Sequence, residues 1–265
     1  MRIVTCFAAM LTFGILVFII GFILIKGFPY ITPSLFELTY NSNNVSLMPA
    51  LISTVFMTFL SLLIAVPLGI FAAIYLTEYA RRDTKVVGVV SITTETLSGI
   101  PSIVYGLFGM LFFVTYLGWG FSVLAGSFTL SIMILPLIMR SSEEALKAVP
   151  DTYREGSFGL GAGKLRTVFK IVLPAAMPGI FAGIILAIGR IVGETAALIY
   201  TAGTVAQVPH NPMMSARTLS VHMYALSSEG LHTNEGYATA VILLIVVISI
   251  NALSAKVAKK IGGNA

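Results

Sequence analysis

Charge is scarce in this chain. Asp, Glu, Lys and Arg make up 10% of its 265 residues while 57% are hydrophobic, and because soluble domains are roughly a quarter charged, a water-soluble globule is excluded. Cysteine is nearly absent: one residue, Cys6, rules out an internal disulfide. The histidines His210, His222 and His232 lack metal-ligand spacing, and Glu229 and Glu235 are too loosely placed to complete a set. There is no His-Glu-x-x-His run and no cluster of acids, which leaves an intramembrane enzyme without catalytic groups. No internal repeat is visible, so the inverted-repeat architecture of secondary transporters gains no support. A phosphate-binding loop is missing as well. Residues 159–164 are glycine-rich, but such a loop needs Gly at 158 and Ser or Thr at 165, where Phe158 and Leu165 stand. The chain carries no ATPase site of its own.

What is plentiful is apolar sequence in long runs. A helix needs about 20 apolar residues to cross the hydrocarbon core, and such runs fall at 3–25, 48–76, 100–117, 121–139, 174–192 and 237–253. This predicts an all-α integral membrane protein, one domain over 1–265 with six transmembrane helices. The first run follows Arg2, exceeds the roughly 7–15 residues of a cleavable signal core and lacks a small-x-small site, so it is expected to be retained.

Short loops rich in Lys and Arg stay in the cytoplasm. With the N-terminus inside, that side holds Arg2, then Arg81, Arg82 and Lys85, then Arg140, Lys147, Arg154, Lys164, Arg166 and Lys170, and finally Lys256, Lys259 and Lys260. Only Lys26 and Arg217 fall outside, and Arg190 lies within a span. Both termini and the polar loop 140–173 are therefore expected in the cytoplasm, in contact with membrane lipid along the spans. The net charge of +5 follows from this bias and calls for no nucleic-acid partner.

Residues 26–47, with Pro29, Pro33 and an Asn-Ser-Asn-Asn run, read as an outer connection. Between 82 and 101 apolar residues at helical spacing alternate with Thr93, Thr94, Glu95, Thr96 and Ser98, and Pro101 should start or kink a helix. That element either lines a pathway with its polar stripe or lies on the cytoplasmic surface. The outer segment 196–236 is too long to be a structureless connection. A short helix over 216–226 and a turn at His210-Asn211-Pro212 are expected in it, and it either dips back into the membrane or caps the outer mouth. Gly179 with Gly183, and Gly189 with Gly193, have the small-xxx-small spacing that lets helices approach closely.

Two polar sites stand out. The first is 155–174, where Glu155, Gly156 and Ser157 are followed by Gly161 and then by Ile171, Leu173 and Pro174. This spacing resembles the EAA loop of ABC-transporter permeases (Glu-Ala-Ala, three residues, Gly, nine residues, Ile-x-Leu-Pro), with Gly-Ser in place of Ala-Ala. The resemblance implies a short cytoplasmic helix, near 151–161, that sits in a cleft of an ATPase subunit and passes its motion to the membrane helices.

The second site is Arg190 with Glu194. Each ionisable residue inside a span costs at least about 2.5 kcal/mol, which marks a functional site. Sixteen residues beyond Pro174 at about 1.5 Å each put Arg190 roughly 24 Å along its helix, in the outer half. Four residues apart, the two are expected on one helical face, near enough to pair. Either they form a neutralised pair that holds helices together, or Arg190 offers a planar fork to an anion while Glu194 orients it or accepts from a protonated phosphate oxygen.

Residues 189–198 (Gly-Arg-Ile-Val-Gly-Glu-Thr-Ala-Ala-Leu), with 73–80, 99–109 and 143–150, resemble the PstA-type permeases of phosphate ABC transporters over most of the chain. The resemblance implies a MetI-like importer permease fold and inward phosphate transport by alternating access across a bacterial inner membrane. It further implies a PstC-type sister permease, a PstB-type ATPase dimer that holds ATP and Mg, and a PstS-type phosphate-binding protein outside the cytoplasm. No cofactor is implied on this chain. Arg190, Glu194 and the outer Arg217 map to substrate-binding positions. Permeases of the molybdate or sulfate type are the nearest alternative, and a secondary anion transporter using Glu194 as a proton relay is the rival from another class.

Overall fold

The computed structural model describes residues 2–80 and 85–262; Arg81 and Arg82 of the second basic loop fall outside them. In a bilayer every backbone polar group must be satisfied internally, and the described chain answers with helices throughout. They are α1 (Arg2–Gly27), α2 (Met48–Ile74), α3 (Lys85–Ser98), α4 (Ser102–Gly109), α5 (Val123–Lys147), α6 (Asp151–Gly159), α7 (Lys164–Thr167), α8 (Leu173–Val192), α9 (Ala196–Ile199), α10 (Leu219–Glu229) and α11 (Thr233–Gly262). Single π-helical stretches extend α2 over Tyr75–Tyr79 and α4 over Met110–Tyr116, and join α7 to α8 over Val168–Val172.

Among the described residues, five helices are long and apolar enough to span by themselves. The sixth predicted span, 100–117, is not a straight crossing. Helix α4 pairs with α3 across a 103° bend, because Pro101 takes an extended conformation (φ −59°, ψ 141°) at the start of α4 and Pro disfavours helix in the residue before it. Tyr105 Oη clasps the bend by donating to Leu97 O at 2.7 Å. Two other spans outrun their apolar stretches. Helix α5 continues from the predicted end at 139 to Lys147, supported by the i,i+4 pairs Arg140–Glu144 and Lys147–Glu143, and the helix entering α8 already begins at Lys164. The polar loop 140–173 thus shrinks to α6 and its turns.

Helix α5 is the axis of the bundle and the most buried of the long helices. Its apolar side chains Leu130, Met133, Ile134 and Ile138 are fully buried with Met57 of α2 and Ile191 of α8. Hydroxyls stitch α2 to α5: Ser61 Oγ donates to Ser127 O and Ser131 Oγ to Ser61 O, both at 3.1 Å. Of the two glycine pairs, Gly179 and Gly183 do pack, against Ala145 and Ser141 of α5, where any side chain would collide. Gly189 meets nothing and Gly193 meets only the backbone of its own helix.

The segment after α8 is built into the bundle. Leu198, Ala202, Ala216 and Val221 belong to the central core. The first-turn N–H groups of α5, which no helical carbonyl can reach, are taken by this segment: Val123 donates to Met214 O at 2.9 Å and Leu124 to Pro212 O at 2.8 Å. The predicted turn is present, with Met213 N–H on Asn211 Oδ1, while the predicted helix over 216–226 begins three residues later, at Leu219.

Candidate functional site

Helix α8 carries Arg190 in its last turn and stops at Val192, where Gly193 ends it. Glu194 is therefore off the helix. Its Oε1 accepts from Ala197 N–H at 3.0 Å, satisfying a free donor at the start of α9, and its carbonyl accepts from Ser220 Oγ at 2.5 Å. This corrects the expectation that Arg190 and Glu194 lie on one face and pair. Arg190 is in no ion pair among the described residues. It is half-buried.

Arg217 comes to the same end of the bundle by another route. Its N–H donates to Val205 O at 3.0 Å, and two residues on, Leu219 N–H donates to Thr54 Oγ1 of α2 at 2.8 Å. The side chain is 6% exposed, stacks over the Tyr40 ring with 4.6 Å to the centroid, and has no hydrogen-bond partner at Nε or Nη2 among the described residues. It also has no ion pair there. A buried cation without a counterion is costly, and a guanidinium with free donors is suited to phosphate-like oxygens. Arg190, Glu194 and Arg217 thus share one end of the bundle, as two arginines in no ion pair among the described residues and one carboxylate committed to a helix start.

Sequence reasoning passed over Tyr40 and weighed His222 only as a metal ligand; the two lie 182 positions apart in the chain and carry no shared pattern. Fully buried His222 meets the Tyr40 ring edge-on. Burial, and then the Arg217 charge, push its pKa down to about 3, so it is neutral at pH 7. The unfolded chain takes up this proton near 6.5, so stability is undiminished above that pH and falls as the pH drops toward 3. We expect the thermal midpoint of the detergent-purified chain to decline over that window and His222→Asn to flatten the decline; equal slopes for the two proteins would contradict this placement.

The opposite end presents α6 and α7. Glu155 and Gly156 are exposed, while Ser157 is buried and its hydroxyl meets Thr167 Oγ1 at 2.8 Å. Gly161 has φ +80°. Its N–H donates to Phe158 O and that of Ala162 to Ser157 O, the two bonds of a left-handed helix stop that Gly adopts without penalty. Ile171 lies in the π-helical stretch, and Leu173 and Pro174 open α8. Four apolar side chains that the loop pattern did not mark stand out from it: Tyr153, Phe158, Leu165 and Leu160, the last 91% exposed.

The described chain is an all-α bundle with five helices long and apolar enough to cross a membrane, or six if the bent α3–α4 pair is one span. Residues 65–261 match the family described as binding-protein-dependent transport system inner membrane component, and the chain belongs to that family. It is similar to the probable ABC transporter permease protein YqgI of Bacillus subtilis, 35% identical over 74% of this chain and 73% of the relative. It is also similar to the phosphate transport system permease protein PstA 1 of Mycobacterium tuberculosis, 36% identical over 78% and 69%. In fold it is similar to the inward-facing MetNI methionine ABC transporter (TM-score 0.64, 21% identity, 81% of this chain and 94% of that one). The bacterial alginate ABC transporter is a second likeness (TM-score 0.68, 16% identity, 98% and 96%).

Proposed function

We propose that this chain is the permease subunit of an ATP-driven importer of inorganic phosphate in a bacterial inner membrane, with both termini cytoplasmic. A sister permease completes the pathway, an ATPase dimer holding ATP and Mg docks on the α6–α7 loop, and an extracytoplasmic binding protein delivers the anion. The observation that carries the cargo is the 36% identity over 78% of the chain to a protein named a phosphate transport system permease. Arg190 and Arg217, at the end opposite the loop and in no ion pair among the described residues, support an anion. Arg190 and Arg217 would offer forks of donors to phosphate oxygens, and Glu194 holds the backbone between them. Glu155, Gly156, Ser157 and Gly161 would form the ATPase contact, and Ile171, Leu173 and Pro174 the join to α8.

Proteoliposomes containing the chain with its sister permease, ATPase and binding protein should accumulate labelled phosphate only with ATP, and excess sulfate or molybdate should not compete. Uptake by the chain alone under a pH gradient would instead favour secondary transport.

A further inference from the structure

Arg154 sits at a junction of three helices. From α6 its Nη2 donates to Glu78 Oε1 at 2.7 Å and its Nε to the same carboxylate at 3.2 Å. Glu78 belongs to the π-helical end of α2, so the guanidinium grips α2 through a forked ion pair. The same group donates to Leu146 O at 3.0 Å and Val149 O at 2.9 Å, adding donors to carbonyls where α5 ends, the first of which also accepts from Val149 N–H. The pair is sheltered, with side-chain exposures of 15% and 8%, and Glu78's hydrogen bonds raise the Arg154 pKa. By contrast the Asp151 partner of Arg154 is 86% exposed and worth little. One residue past Glu78, the Tyr79 ring carries Lys164 of α7 at 4.9 Å. The end of α2 therefore touches both arms of the loop.

The far ends of the same two helices are held just as specifically. Thr54 of α2 receives the N–H of Leu219, two residues after Arg217, and the start of α5 is capped by 212–214. Between these ends the Ser61 and Ser131 hydroxyls and Gly69 packed on Ile138 keep α2 and α5 together. Resting on the transport reading above, we propose that the α2–α5 pair is the lever between the loop and the Arg217 segment, and that Glu78 is the positioning residue that joins α6 to it. Thr54 and Glu78 are 24 residues apart, about 36 Å along a helix, so they cannot touch. Sites that far apart ordinarily behave independently. Any coupling between them must travel through the pair.

The test separates the lever from the transport reading. In lipid nanodiscs holding the full chain, amide exchange is compared between wild type and Glu78→Gln, which keeps size and removes charge. The expected result is exchange faster by about fivefold both in α6 and in 217–222, with α11 unchanged. Acceleration confined to α6, or none, overturns the lever whether or not the chain transports phosphate. In the full complex, Glu78→Gln and Thr54→Val should each lower phosphate moved per ATP by about tenfold with the ATPase still bound, and the double variant should be no worse than the poorer single. Multiplying defects, or loss of the ATPase from Glu78→Gln, would make the ion pair a scaffold and overturn the proposal. Thr54→Val lies far from the loop, so it tests the lever even if Glu78→Gln fails to fold.

Discussion

Replacing Arg190 by glutamine is expected to cut phosphate uptake by at least about thirtyfold while the sister permease and ATPase still copurify with the chain. The magnitude follows from the general cost of removing one partner of a desolvated, charge-assisted contact, about 2–5 kcal/mol, which outweighs what a glutamine amide can recover. Assembly should survive because Arg190 is in no ion pair among the described residues, so no buried carboxylate is orphaned by the change. Arg190→Lys should recover part of the rate, an ammonium being unable to reproduce the planar fork. Glu194 separates the two readings of the motif. As its carboxylate caps α9, Glu194→Gln, whose carbonyl can still accept, should leave assembly intact and should not rescue Arg190→Gln. The measurement is labelled-phosphate uptake with subunit ratios determined in parallel. Full uptake by Arg190→Gln would move the anion site to Arg217 and its neighbours.

Gly161→Asp is expected to abolish uptake, by at least about a hundredfold, with the chain still folded in the membrane. The left-handed conformation costs a non-glycine residue roughly 1–2 kcal/mol, and Asp is among the residues that enter it most readily, so local strain is small against a stability of about 5–15 kcal/mol. A side chain at 161 meets nothing within 4 Å inside the chain. The added carboxylate therefore points away from the chain, next to exposed Leu160, where a negative charge would be buried on docking at a cost of several kcal/mol. Gly161→Asn, similar in backbone preference and without charge, should fall between the two. Copurified ATPase and ATP-dependent uptake are the readouts; wild-type values for Gly161→Asp would remove α6 and its turn from the proposed contact.

Local physics made much of this legible. The apolar runs predicted where the long apolar helices lie and Pro101 the break before α4, since each depends on a residue and its chain neighbours. The helix ends were less readable, because hydropathy reports greasiness rather than hydrogen bonding. Helix α5 runs through Arg140 and Lys147 on its own i,i+4 pairs and stops only before Pro150. The Arg190–Glu194 expectation failed for a related reason: a spacing of four places two side chains together only while the helix lasts, and α8 ends between them.

The sequence by itself determined the environment, through a shortage of charge that only a bilayer accommodates. Its basic residues, most of them on the side of the polar loop, set the expectation of which end faces the cytoplasm. Tertiary structure alone decided which side chains act together. Glu78 meets Arg154 across 76 positions, Leu219 meets Thr54 across 165, and Arg217 lies buried on Tyr40. No periodicity announces such contacts, because hydrophobicity and backbone preference act along the chain, whereas a hydrogen bond or a stacked ring depends on how helices distant in sequence come to lie against one another.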